Sequence, residues 1–198
     1  HVDNLGDDDA KNGKFFDHVK HGEDSNMKVF LGLMQQHFDH SLEYLLTGKQ
    51  YGSQFVQRPG MAKYLDEVIS RQWEEGMDAL KKFLQRGGRL SDEDFKSYFN
   101  VQGNPQLTGD GSDEVSTTYV DTLKKVLVDS KKRMKTMNHL RHLASQIRRN
   151  GGDAEIAHFF DDKLEKEAEI TRELAGHVNN LEEMKDSGIA LKMFDSHI

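Results

Sequence analysis

The stretch KYLDEVISRQWEEGMDALKKFLQRGGR, residues 63–89, leaves the chain few choices of architecture. Its apolar residues Leu65, Val68, Ile69, Trp73, Leu80, Phe83 and Leu84 recur at three- and four-residue steps, so they line one face of a helix. The other face is charged, and the run stops at Gly87-Gly88, where a left-handed helix end suits glycine. Such a helix owes most of its stability to the packing of its apolar stripe and does not persist alone in water. The rest of the sequence must supply partner helices with matching stripes.

It does. A first helix is predicted over about 24–51, capped by Asp24, Ser25 or Asn26, with Met27, Phe30, Leu31, Met34, Phe38, Leu42 and Leu45 on its stripe. Arg58-Pro59-Gly60 opens the second helix, about 60–86, with proline in its first turn. A third helix, about 115–149, carries Tyr119, Leu123, Val126, Met134, Met137, Leu140, Ala144 and Ile147. Asp153 caps a fourth, about 154–184, with Ile156, Phe160, Leu164, Ile170, Leu174, Val178 and Leu181. Ser187-Gly188 then breaks the chain before a short last segment, IALKMFDSHI. Residues 1–23 read as a flexible acidic arm with Phe15 and Phe16 as a docking point, and residues 24–198 as one bundle domain. The longest non-periodic region, about 87–114, offers only a short turn around Phe95–Phe99, capped by Ser91 with Asp94. A connection that long crosses from one end of a domain to the other. The fold class is therefore all-α: a four-helix bundle with one long crossover between helices two and three and a short fifth C-terminal helix.

Composition narrows the function. Of 198 residues, 35% are hydrophobic and 31% charged, with 2 prolines, which suits long amphipathic helices with wide solvated faces. A formal charge of −7 argues against nucleic acid as a partner and favours attraction of cations. Without cysteine, disulfides and thiolate metal sites are excluded. No apolar run reaches membrane-spanning length, so no membrane partner is expected. The chain starts at His1 rather than Met, which fits a processed secretory protein or a trimmed start.

Bundles of this connectivity often hold a di-iron centre built from a carboxylate on each of two helices and a Glu-x-x-His pair on each of the others. The one Glu-x-x-His here, Glu155–His158, stands at the start of the fourth helix, and reads as a helix-start acid beside a surface histidine. His37/His40 and His139/His142 have metal-chelating spacing, but surface or bundle-rim histidines are the simpler reading. Asp66-Glu67 and Glu74-Glu75 place carboxylates one and two turns apart, either a hard-cation site or a solvated face. Lys131-Lys132-Arg133 reads as a solvated face or a subunit contact. Met27, Met34, Met134 and Met137 fill gaps in the core rather than bind a cofactor.

The segments HFDHSLEYLLTGKQYG (37–52), RPGMAKY (58–64), FLQRGGR (83–89), HLRHLAS (139–145), ELAGHVNNL (173–181) and SGIALKMFDSHI (187–198) together resemble ferritin, over nearly all of residues 25–198. The likeness is nearest to the light-chain-like, non-catalytic subunits of insect-type secreted ferritins. It implies an iron-storage role in a hollow shell of about twenty-four subunits on the ferritin-like bundle plan. It also implies a ferric mineral core, a catalytic heavy-chain-like partner subunit, and secretion or a secretory-pathway lumen, with the cytoplasm as the alternative. The catalytic members' iron ligands match His37, Tyr44, Gln72, Glu75, Ser130 and Glu167 here, of which only Tyr44 is retained. A ferroxidase centre is therefore not expected, and the chain is not expected to be an enzyme. The rivals are a self-sufficient ferroxidase using His37, Glu75 and Glu167, and a shell that has lost its iron function. By the same resemblance, Glu67 and Glu74, with Glu75 beside them, are the candidate mineral-binding acids, with Arg71 close enough to neutralise part of their field. His158, Asp161 and Asp162 line a candidate cation entry at a three-fold channel, and Ile189, Met193 and His197 a mostly apolar four-fold pore.

Overall fold

Each long helix turns inward a ridge of residues four and three apart, and these ridges build the interior. The computed structural model describes residues 15–16, 25–52, 58–98, 114–146, 153–184 and 186–198. The helices are α1 (Ser25–Tyr51), α2 (Pro59–Gln85), α3 (Asp92–Tyr98), α4 (Glu114–Ser145), α5 (Ala154–Met184) and α6 (Gly188–Asp195). Among the described residues there is no strand. The predicted arm falls outside the described residues apart from Phe15 and Phe16, as do Phe99 and the expected end of the third helix at Ile147–Arg149.

The ridge of α2 is Met61, Leu65, Val68, Gln72, Gly76, Ala79 and Phe83. Trp73 and Leu84, expected inside, are 54% and 53% exposed. Each follows a ridge residue directly, and one residue turns a helix by about 100°, so both swing out of the core. The ridge of α4 is Tyr119, Leu123, Val126, Ser130, Arg133, Met137, Leu140 and Ala144. Arg133 therefore leaves the expected solvated run: it is 1% exposed, while Lys131 and Lys132 remain outside.

The caps expected at Ser91 and Asp153 form, with Ser91 Oγ accepting from Asp94 N (3.1 Å) and Asp153 Oδ1 from Ile156 N (3.1 Å). Ser187, expected only as a break, also caps α6, its Oγ accepting from Ala190 N (3.2 Å). Gly87 ends α2 at φ 86°, a left-handed conformation glycine adopts without a Cβ clash. At the other end of α2, Arg58 provides no side-chain cap. Asp195 of α6 does so from across the fold, accepting from Gly60 N (3.1 Å), Met61 N (2.8 Å) and the Tyr119 hydroxyl (2.9 Å). This ties the last helix to the beginning of the second.

Cross-helix bonds fix the topology. Ser41 bonds Ile69 and His37 bonds Gln72, so α1 and α2 run antiparallel. Ser130 faces Thr171 and Arg141 faces Asp161, so α4 and α5 do likewise. Tyr51–Thr122, Tyr44–Asp129 and Gln36–Thr136 set α1 antiparallel to α4. Consequently α2 and α4 point the same way, and the chain between them must travel back along the bundle, a distance of about 40 Å for a 27-residue helix. The expected long crossover is thus a geometric requirement of the bundle.

Two apolar clusters fill the interior. One gathers Phe15, Phe16, Phe30, Phe83, Leu140 and Phe160, with Phe16 wedged 4.9 Å from Phe83 and 5.3 Å from Phe30. Phe15 and Phe16 therefore dock as expected. The other gathers Tyr51, Leu65, Tyr119, Leu123, Leu174 and Leu191. Between them lies a belt of buried polar residues contributed by all four long helices: His37, Ser41, Gln72, Asp129, Ser130, Arg133, Glu167 and Thr171.

Candidate functional site

The belt occupies the ridges halfway along the bundle. The Arg133 guanidinium is its hub, with Nη2 donating to Glu167 Oε1 (2.9 Å) and Nη1 to His40 Nδ1 (2.6 Å). Arginine can only donate, so His40 Nδ1 must present its lone pair and the ring proton sits on Nε2, 3.6 Å from Asp129 Oδ1. Asp129 also accepts from the Tyr44 hydroxyl (2.6 Å) and from Lys125 Nζ (3.2 Å), which reaches on to Glu43 at 3.0 Å. Ser130 donates to Glu167 and lies 2.7 Å from Thr171 Oγ1. On the opposite side His37 Nδ1 bonds Gln72 Oε1 at 2.8 Å.

This environment sets the protonation states. Burial, then the Arg133 charge, lowers both His37 and His40 to about 4, so both imidazoles are neutral at pH 7. Burial pushes the Glu167 carboxyl up, but Arg133 and the hydrogen bonds from Ser130 and Arg133 outweigh it and hold the carboxyl below its ordinary value. Burial and then Asp129 push the Tyr44 phenol well above its ordinary value. His37 and His40 are thus core groups rather than the rim histidines expected from sequence. His139 and His142 do lie on the surface.

Of the six positions matched to a ferroxidase ligand set, His37, Gln72, Ser130 and Glu167 are buried in the belt, and Tyr44 is buried beside it with its hydroxyl on Asp129. Glu75 turns away: Lys163 Nζ of α5 holds it at 2.7 Å, together with Asp78, also at 2.7 Å. His37, Glu75 and Glu167 therefore have separate partners, Gln72, Lys163 and Arg133. A di-iron centre needs several carboxylates converging with imidazoles at one level. Here the belt's carboxylates Glu167 and Asp129 already face cationic side chains, and the donor set does not fit such a centre.

The acids of α2 divide by face. Glu67 and Glu74 are exposed and share a shallow depression with Lys63, Asp66, Ser70 and Arg71. Glu75 does not join them. At the start of α5, Glu155 pairs with Lys82 (2.8 Å) and Arg86 (3.2 Å), a helix-start acid as expected. His158 is exposed, 3.8 Å from Asp162, whereas Asp161 is engaged by Arg141. On α6, Ile189 and Met193 are 76% and 62% exposed. The face shared by α1 and α2 carries an open apolar groove of about 770 Å³, lined by Phe38, Leu42, Leu45, Ile69, Trp73 and Met77 among others. Sequence reasoning placed Arg133 on a solvated face and His40 at the surface or bundle rim, and did not single out Asp129. The available signal was the break in the apolar stripe of α4 between Val126 and Met134, which Ser130 and Arg133 fill at ridge spacing.

No family model matches the chain. The ferritin light chain of Drosophila melanogaster is 27% identical over 165 residues, covering 80% of this chain and 69% of that protein. The crystal structure of Trichoplusia ni secreted ferritin superposes with a TM-score of 0.73 over 87% of each chain, at 22% identity. The resemblance to insect-type ferritin holds. The solved structure carries the fold, a ferritin-type bundle with a crossover and a short C-terminal helix, and the fly protein carries the sequence likeness. Within this ferritin-type bundle the polar belt lies where the ferroxidase positions were matched. Among the described residues no helix is long and apolar enough to cross a membrane.

Proposed function

We propose that this chain is an iron-storage ferritin subunit of the light type, which builds a shell and leaves Fe(II) oxidation to a catalytic subunit of the same fold. The observation that carries this reading is the Arg133 guanidinium bound to Glu167 and His40 in the middle of the bundle. A buried cation there repels Fe(II) and takes up the donors an oxidation centre would use. The 27% identity to a ferritin light chain supports the same assignment. Self-association into a shell of about twenty-four subunits draws support from the apolar groove around the exposed Trp73, since contiguous exposed apolar surface marks interfaces. Iron is then cargo: Glu67 and Glu74 offer a modest mineral-binding surface that Arg71 weakens, and His158, Asp161 and Asp162 an entry for cations weakened by the Arg141 pairing. A secretory lumen or the extracellular space fits the likeness to a secreted ferritin.

The deciding experiment follows Fe(II) oxidation by the chain alone, on particles of verified assembled mass, and again after mixing with a catalytic ferritin subunit. No oxidation above the buffer rate, with activity appearing in the mixed shell, is the expected result. Stoichiometric oxidation by the chain alone, abolished by His37→Ala, would overturn the assignment.

A further inference from the structure

The formal charge of −7 hides an uneven distribution. From Lys124 to Gln146 the sole acid is Asp129, and it is buried, although 34 of the 198 residues are Asp or Glu. Every exposed ionic side chain on this length of α4 is therefore basic. Three of the cations are held by neighbouring acids: Lys124 by Glu182, Lys125 by Glu43 and Asp129, and Arg141 by Asp161. Lys131, Lys132 and Lys135 are exposed and make no ion pair among the described residues. With His139 they fall within about 100° of one another around the helix, and Lys131, Lys135 and His139 follow at steps of about 6 Å. Lys131 and Lys135 are like charges four residues apart, an unfavourable pair on a helix unless an anion offsets it. We propose that this outer face of α4 docks a linear sulfated polysaccharide, whose sulfate groups pair with Lys131, Lys132 and Lys135.

The make-up of the face selects this ligand among polyanions. It carries no aromatic side chain on which bases could stack, as single-stranded nucleic acid sites do. A duplex is wider than one helix and would meet the acidic remainder of the surface, which repels it. A lipid surface needs an apolar edge to insert, and Val128 is the one large hydrophobic exposed on α4 among the described residues. Free arginines, whose planar fork matches carboxylate and phosphate, are absent from the row. Lysines offer separate point charges instead, which suit a thin strand with anionic groups spaced along it. Position favours access. α4 packs against α1 and α5, while α2 packs against α1 and, through Lys163, meets α5, so α2 and α4 occupy opposite corners of the bundle. The lysine row thus faces away from Glu67 and Glu74, and the two oppositely charged surfaces do not compete. This holds whether or not the chain stores iron, and so goes beyond the light-type reading.

The test uses heparin, a sulfated polysaccharide, and particles of the full chain at matched assembled mass, so that multivalency is equal throughout. Affinity is measured by isothermal titration calorimetry from about 50 to about 200 mM salt. Wild type should bind, and more weakly as salt rises. Lys131→Glu, Lys132→Glu and Lys135→Glu together should weaken binding at least about tenfold at low salt and flatten its salt dependence. Lys131→Gln, Lys132→Gln and Lys135→Gln together remove the charges without adding repulsion and should also weaken binding, which covers a reversed variant that fails to assemble. Lys49→Glu, Lys81→Glu and Lys192→Glu together change the net charge as much on α1, α2 and α6, and should leave affinity within about twofold of wild type. Failure of wild type to bind heparin, or α4 variants no weaker than that control, would overturn the proposal. So would polyglutamate, an oligo-dT strand or phosphatidylserine vesicles bound as tightly as heparin.

Discussion

Acidification from pH 7 to pH 5 should weaken the fold far more than surface histidines can account for. His37 and His40 are each lowered to about 4 by burial and then by Arg133, against an ordinary value of about 6.5. Between these two values the unfolded chain binds protons that the native chain refuses. Stability is therefore complete above the unfolded value and is lost as pH falls through the window from about 6.5 to about 4. For one such imidazole the linkage amounts to roughly 2 kcal/mol at pH 5, against about 0.2 kcal/mol at pH 7. The pair together should remove on the order of 3–4 kcal/mol, a large part of the ~5–15 kcal/mol by which domains are stable. Structure explains the resistance to protonation: a proton on His40 Nδ1 would point at the Arg133 Nη1 donor 2.6 Å away. Glu167 adds to acid sensitivity only lower down, because a carboxyl held below its ordinary value loses its contribution only as pH falls through the carboxylate range. Urea unfolding at one fixed subunit concentration, followed by circular dichroism at pH 7, 6 and 5, measures the effect, and His40→Gln should cut the loss by about half. A wild-type stability that changes by less than about 1 kcal/mol across this range, or a His40→Gln slope equal to that of wild type, would mean that the imidazoles reach solvent and the belt is not closed.

Other perturbations test other joints of the structure. Glu167→Ala strands the buried Arg133 charge and should cost about 3–5 kcal/mol in denaturant unfolding at pH 7, a fall in melting temperature of at least about 6 °C for a chain of this size, with Glu167→Gln milder because its amide oxygen still accepts. Asp195→Ala removes the acceptor for Gly60 N, Met61 N and the Tyr119 hydroxyl, and should destabilise by about 1–3 kcal/mol. Protease cleavage after Lys192 should rise in that variant, as α6 loses its anchor. Gly60→Ala should be at least as damaging, because its Cβ would fall on the Asp195 backbone carbonyl oxygen, which no side-chain rotation can clear. Trp73→Glu puts a charge into the apolar groove and should shift the assembled mass toward smaller species, with the helical content of the chain unchanged; an unaltered mass distribution would remove that face from the assembly.

The fold was legible because its signals are local and repeated. The caps at Ser91 and Asp153, proline at the start of α2, and three- and four-residue apolar steps each act within a turn or two. The polar belt was not legible because its meaning is non-local. Arg133 reads with Lys131 and Lys132 as one basic run until the ridge of α4 is drawn through Ser130 and Met137. Only the meeting with Glu167, 34 residues further on, makes burial of that charge tolerable. Trp73 shows the converse: a large apolar side chain at helical spacing reads as core, yet one residue of rotation places it on the outer groove. Glu75 reads with Glu74 as one acidic cluster for the same reason, although Lys163 of α5 takes it to another face.

The shared direction of α2 and α4 has a kinetic consequence. Two helical hairpins, α1 with α2 and α4 with α5, contain mostly short-range contacts and can zip up separately, whereas their union must first close the crossover loop. Each hairpin carries part of the belt already matched, His37 with Gln72 in the first, Arg133 and Ser130 with Glu167 in the second. Docking then has only the bonds between hairpins to complete, among them Tyr44 to Asp129, Arg133 to His40 and Lys163 to Glu75. The ion pair that neutralises the guanidinium thus lies wholly within the second hairpin, and the first supplies the cover that seals it from water. Because closure entropy rises only with the logarithm of loop length, doubling the crossover would slow or weaken that union by only about 0.6 kcal/mol. The crossover is therefore the part of this chain with most freedom to lengthen, while the helices on either side of it have almost none.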